Sequence, residues 1–130
     1  ALPLARFQLQ TNGTLMENVT RETLGKLSNV LISVDGGELA TDTYRGEGVF
    51  SQVTEAVKAM RPLVGGTITA RMTWSDSNIL LDDFLELIST FDYVYWQFVQ
   101  AQGFYSPEQV KQKKAVLEEL VKVTKEKQEK

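Results

Sequence analysis

Val30, Leu31, Ile32 and Val34 make a short apolar run that stops at Asp35-Gly36-Gly37. A polar loop follows, after which Phe50, Val53, Ala56, Val57 and Met60 recur at helical spacing. The first part reads as a buried strand and the last as an amphipathic helix, so Leu31–Val57 is one half of a βαβ unit. A strand that leaves through a helix returns to its sheet in parallel, with a right-handed crossover. Ser33 and Asp35 stand at the exit of this strand, where parallel α/β sheets gather ligand chemistry.

The rest of the chain repeats the theme. Arg6–Gln10 alternates apolar and polar residues and ends at Thr11-Asn12-Gly13, a turn signal that tolerates positive φ. Leu15, Met16, Val19, Leu24 and Leu27 supply an imperfect helical stripe, with Thr20 as N-cap and Gly25 weakening its far end. The helix of the second unit runs from Ser51 to Arg61 and is closed by Pro62. In Thr67–Trp74, Ile68, Ala70, Met72 and Trp74 alternate with Thr67, Thr69, Arg71 and Thr73. After the turn residues Ser75–Asn78 comes a stripe of Ile79, Leu80, Phe84, Leu87 and Ile88, with Asp82 and Asp83 suited to the helix dipole. Tyr93–Val99 reads as a fourth strand. Ser106-Pro107-Glu108-Gln109 starts the last helix as N-cap, first-turn Pro and capping-box Gln, and the charged end of that helix is expected to fray.

The order is therefore βα four times over. It implies one α/β domain across residues 1–130, closed by the helix of residues 106–130: four βα units with a parallel sheet. Two closures fit. One is a small doubly wound sheet complete in itself; the other is part of a partial (β/α) TIM-like barrel whose further strands lie outside this sequence. Four parallel strands leave two open sheet edges, so pairing with missing strands or a homodimer through those edges is expected.

Composition narrows the chemistry. A net charge of −3 with dispersed acids provides no basic patch for nucleic acid or an anionic membrane. No apolar run approaches the ~20 residues of a membrane span, and the N-terminal stretch does not read as a secretory signal. Cysteine and histidine are both absent, which removes disulfides, Cys/His zinc sites and imidazole-based triads. Lack of cysteine fits a reducing compartment, and a cytoplasmic location is expected. The chain does not begin with Met and enters a strand-like run almost at once, as if starting part-way through a longer polypeptide.

Polar punctuation gathers at strand ends: Thr11-Asn12, Ser33 to Asp35, Thr73 to Asp76, and Gln97 to Gln102. In parallel topology these share one rim. Singly, each is explained as turn chemistry; together, with Asp35 placed to accept from ribose-like hydroxyls, they outline a ligand site. Glu38, Asp42, Arg45 and Glu47 read as a solvated loop with a surface ion pair. Gly36-Gly37 and Gly46-x-Gly48 resemble phosphate-cradling glycines without a GxGxxG or Walker pattern. Helix-dipole pairing and solvation explain Asp76, Asp82, Asp83 and Glu86 better than a metal does. Trp74, Tyr95 and Trp96 read as core or interface residues rather than base-stacking ones.

QTNGTLM after an alternating strand, then ISVDG, then TYRGEGVFSQVTEAVKAM, resembles the middle of a radical S-adenosylmethionine (radical SAM) enzyme core. TITARMTW, SNILLDDFLELI and FDYVYWQFV agree in order and spacing with the segments that follow there, so the resemblance spans roughly Phe7 to Val99. It implies a partial (β/α) barrel that binds S-adenosylmethionine and a 4Fe-4S cluster, whose reductive cleavage chemistry belongs to cofactor and cluster while the protein positions them. By that resemblance Ser33 and Asp35 match positions facing the cofactor's ribose or amino-acid moiety, with Asn12 of the TNG turn beside them. Thr73, and Val99 with Gln100, correspond to places near the adenine, and Arg45 to the loop Arg of an RG signature. The family's CxxxCxxC cluster loop is missing, and so is the GGE strand that precedes TNG; Gly36-Gly37-Glu38 lies in the wrong element to replace it. The implied identity is thus an internal fragment, inactive alone and binding no cofactor by itself, from a parent acting on a small-molecule or peptide substrate. The alternative is a non-catalytic α/β domain for binding or assembly, in which TNG and SVDG are ordinary turns.

Overall fold

The computed structural model describes residues 4–74, 79–98 and 105–128. Strands β1 (Phe7–Thr11), β2 (Leu27–Val34), β3 (Thr67–Trp74) and β4 (Tyr93–Phe98) lie side by side in chain order, every neighbouring pair parallel. The helices are α1 (Arg21–Lys26), α2 (Glu38–Arg45), α3 (Val49–Met60), α4 (Leu81–Thr90) and α5 (Pro107–Gln128). This is the α/β fold of four βα units that the sequence implies. A sheet laid down strictly in chain order by right-handed crossovers never reverses its winding, so its helices fall on one face. The doubly wound alternative loses the reversal point that defines it.

Burial follows the same division. Val30, Ile32 and Val34 of β2 and Ile68, Ala70, Met72 and Trp74 of β3 are buried, against the Phe50, Val53, Val57 and Met60 stripe of α3 and Phe84 and Leu87 of α4. Trp74 meets Phe84 edge-on with ring centroids 5.5 Å apart, and the Lys113 ammonium of α5 lies 4.9 Å from a Trp74 ring. On the opposite face Asn29, Ser33, Thr67, Arg71 and Thr73 stay half-buried and Tyr93 and Tyr95 are exposed. No helix among the described residues covers that face, and none is long and apolar enough to cross a membrane.

Two expectations about elements need correction. The first helical stripe yields only a 3-10 turn (Met16–Asn18) and the six-residue α1, and the chain is already in β2 at Leu27. So short a helix has little cooperative stability, and parallel pairing of Leu27 with Phe7 takes over. Thr20 does cap it, accepting from the Thr23 amide at 3.2 Å. The charged segment read as a solvated loop is instead α2, ended by Gly46 at φ 117°. At the last helix the Ser106–Gln109 capping box forms as read, with bonds of 3.2 and 2.8 Å.

Candidate functional site

Strand register decides which side chains meet. Thr11 pairs with Ile32, Ser33 with Arg71 and Arg71 with Tyr95; Val34 pairs with Met72, and Thr73 with Gln97. Continuing each register by one residue sets Asn12 beside Ser33, and Asp35 beside Thr73. Ser33 and Thr73 thus lie near the C-terminal ends of β2 and β3 on the open face, and Asn12 and Asp35 directly follow β1 and β2 at the same end of the sheet. Val99 and Gln100 lie outside the described residues, as do Ser75 and Asp76.

Asp35 is not a free carboxylate. The Arg45 guanidinium reaches back from the last turn of α2, its Nε donating to Asp35 Oδ2 and its Nη2 to Oδ1 at 3.4 Å. The two side chains are only 15% (Asp35) and 28% (Arg45) exposed, so the fork is shielded from most of the solvent. Buried Thr41 fixes the turn between them: its hydroxyl accepts from the Asp35 amide at 3.1 Å and donates to the Gly36 carbonyl at 3.0 Å. Asn12 is likewise engaged locally, its Oδ1 accepting from the Thr14 amide at 3.1 Å and the Thr14 hydroxyl at 2.9 Å. Ser33 and Thr73 make no side-chain hydrogen bond among the described residues.

The glycines and acids near the rim have a structural explanation. Asp83 Oδ1 accepts from the Gly37 amide at 2.9 Å while its Oδ2 accepts from the Leu80 amide at 2.8 Å, so one carboxylate caps both α2 and α4. Glu86 Oε2 accepts from the Glu38 amide at 3.3 Å. A Cβ at Gly37 would run into the Glu86 carboxylate, and Gly36 holds φ 139°. Gly36-Gly37 therefore admits the protein's own carboxylates at the α2 N-terminus, the seat where a phosphate cradle would hold an anion. Asp42 does the same for α3, accepting from the Gly48 and Phe50 amides at 2.7 and 2.8 Å. Among the described residues no group of three His, Cys, Asp or Glu side chains could hold a metal ion.

Asp92 sits at the other end of the sheet. Its carboxyl is held below the ordinary aspartate range, first by the Ile68 amide at 2.8 Å and then by Arg61 at 2.5 Å, with burial opposing both. It stitches the start of β4 to β3 at the end of the sheet away from the rim. Cavities of about 350 and 340 Å³ lie beside α3 and α5, and neither is lined by an expected site residue. Among the described residues the candidate site is an open face with a rim.

One residue on that face enters the sequence reading only as a polar alternate. Arg71 is the only charged residue in any of the four strands. Its Nη2 donates to Gln97 Oε1 at 3.4 Å, and no carboxylate pairs with it among the described residues. A lone charge in four otherwise neutral strands is the signal the sequence carries for it. Set against known families and curated proteins, the chain matches no family model and no curated protein.

Proposed function

We propose that this chain is the S-adenosylmethionine-binding segment of a radical SAM enzyme core, one part of a partial (β/α) barrel. The observation that supports this reading is the chain-order parallel sheet with helices on one face. Such winding leaves a polar face whose adjacent strand exits carry the TNG turn and the SVDG turn. A nucleoside with an amino-acid tail needs neutral hydroxyls and a carboxylate acceptor at that rim, and Ser33, Thr73 and Asp35 supply them. Arg45 holds the Asp35 carboxylate in place, and Asn12 shapes the neighbouring turn. Thr73, with Val99 and Gln100 outside the described residues, belongs on the adenine side.

The residues present do not fit the iron–sulfur cluster, because the sequence has no thiolate to ligate iron. No step through a cluster is therefore assigned to this chain. Bound S-adenosylmethionine would supply a carbon-centred radical in a complete enzyme; the residues here hold and orient it. The parent's substrate is a small molecule or a peptide.

The test is calorimetric titration of the full-length parent enzyme with S-adenosylmethionine, repeated with Ser33→Ala and Asp35→Ala. Saturable binding that both variants weaken supports the assignment; unchanged affinity in both variants removes it. The coding sequence directly upstream gives an independent check, since a CxxxCxxC motif is expected within some tens of residues. The second reading, a non-catalytic binding or assembly domain, draws on the local satisfaction of Asn12 and Asp35 by their own turns. It predicts that neither the titration nor the upstream sequence yields these results.

A further inference from the structure

We propose that the hollow of about 350 Å³ between the first crossover and α3 is a binding site for an arylalkylamine, a protonated primary amine carried on a short aromatic body. The hollow opens on the helix-covered side of the sheet, so the inference is independent of the cofactor reading, which uses the opposite face.

The space follows from the sequence of the first βα unit. Between β1 and β2 the chain forms only the 3-10 turn Met16–Asn18 and the six-residue α1, so no long helix lies along this flank of α3. On that flank α3 presents Ala56 and Ala59, side chains too small to fill the gap. Buried Met16, Leu24 and Met60 make the floor, with half-buried Leu63 beside them. Gly13, at φ 82°, sets the near wall: a Cβ there would lie 3.0 Å from an Ile32 methyl and 3.2 Å from a Val53 methyl, so this turn is seated tightly on the core. The volume and the apolar lining are those of a small-molecule site. Two methionines favour an aromatic occupant, because thioether sulfur makes good contacts with ring edges and the unbranched stem adapts to their shape.

Polar groups around the mouth fix the sign of the charge. Glu17 and Glu55 are exposed and line the hollow, and among the described residues no Lys or Arg does. Glu17 makes no ion pair among the described residues. Glu55 meets Lys58 at 2.8 Å, an exposed pair on the surface of α3 that holds it only weakly. The donors of the wall are turned to the protein: Gln52 Nε2 donates to the Thr14 carbonyl at 3.3 Å, and the Thr14 hydroxyl to Asn12 Oδ1 at 2.9 Å. Acceptors remain, namely two carboxylates and the Gln52 Oε1. An ammonium brings three donors, a positive charge and no acceptor, and is their complement. A ligand carboxylate would meet like charge at the same mouth.

The experiment is ¹³C-methyl methionine NMR on the full chain, titrated with phenethylamine, with phenethyl alcohol and with hydrocinnamate at matched ionic strength. Met16 and Met60 line the hollow; Met72, buried on β3, does not and serves as the control. Saturable shifts of the Met16 and Met60 methyls are expected with phenethylamine, about fivefold weaker binding with the alcohol, and no saturable shift with hydrocinnamate. Combining Glu17→Gln with Glu55→Gln should bring the amine down to the affinity of the alcohol. Ala56→Leu, which fills the hollow from the surface of α3, should abolish the shifts. The proposal is overturned if Met16 and Met60 move no more than Met72, if the alcohol or hydrocinnamate binds as well as the amine, or if Ala56→Leu leaves the affinity for the amine unchanged. Should a variant fail to fold, the three probes on the unaltered chain still decide.

Discussion

Replacing Asp83 by Ala removes one carboxylate that serves two helices. The Leu80 amide at 2.8 Å is exposed, and its loss is that of an ordinary N-cap, about 1 kcal/mol. The Gly37 amide at 2.9 Å is partly buried and joined to an ionised acceptor, so its loss is larger, about 1.5 kcal/mol. Together they predict destabilisation of about 2–3 kcal/mol. With a urea slope of about 2 kcal/mol/M, the unfolding midpoint should fall by about 1–1.5 M without a change in slope. Asp83→Asn keeps one acceptor and should fall between the two. Asp82 is exposed, makes no hydrogen bond among the described residues, and shares only the helix-dipole benefit. Asp82→Ala should therefore stay within about 0.5 kcal/mol of the unaltered chain. Equal losses for the two alanines would refute the cross-helix cap and return both acids to generic dipole pairing.

Three other outcomes follow from the same geometry. The folded-state pKa of Asp92 lies below its unfolded value, so its contribution is full above the ordinary aspartate pKa of about 4 and is lost as pH falls through the folded value. The gap in urea midpoint between the unaltered chain and Asp92→Asn should be widest near neutrality and shrink below about pH 4; a gap independent of pH contradicts this. Trp74 is fully buried and its Nε1 has no hydrogen-bond partner among the described residues, so Trp74→Phe exchanges a packing loss for relief of about 1–3 kcal/mol of unmet polarity. A net change under about 1.5 kcal/mol is expected by denaturation, whereas a loss above about 3 would show the indole N–H to be satisfied. Both edge strands, Phe7–Thr11 and Tyr93–Phe98, are free of charge and proline, so the isolated chain should self-associate. Light scattering that shows a pure monomer at high concentration refutes this.

The parts legible in the sequence are those whose stability is local. β2 and β3 announce themselves by alternation onto a helix-covered face, α3 by its stripe, and the α5 start by a capping box. The shared rim also follows, since parallel order alone puts Asn12, Ser33, Asp35 and Thr73 at one edge. α2 is hidden for the opposite reason. Its N-terminus is satisfied by Asp83 and Glu86, 46 and 48 residues further on, and Leu39 in its first turn stays 84% exposed. No window around Glu38–Arg45 contains that information. The Arg45–Asp35 pair is hidden with it, because only a helix there brings residues ten apart together.

Polarity along the open face is graded in a way that separates support from binding. A closed barrel fills its interior with bulky branched side chains, so an Asn and Thr lining already argues for a face that meets water or a ligand. At the N-terminal end of the strands that polarity is self-satisfied: the Thr67 and Thr69 hydroxyls donate to Asn29 Oδ1 at 3.2 and 2.9 Å. Toward the C-terminal end it is not. Ser33 and Thr73 make no side-chain bonds among the described residues, and Arg71 reaches only a neutral amide. Buried and half-buried polar groups are normally paired, and the cost of leaving them unpaired grows as water is excluded. Two halves of one face with the same residue types thus differ in bonding: one holds strands together, and in the other the Ser33 and Thr73 hydroxyls have no side-chain partner among the described residues.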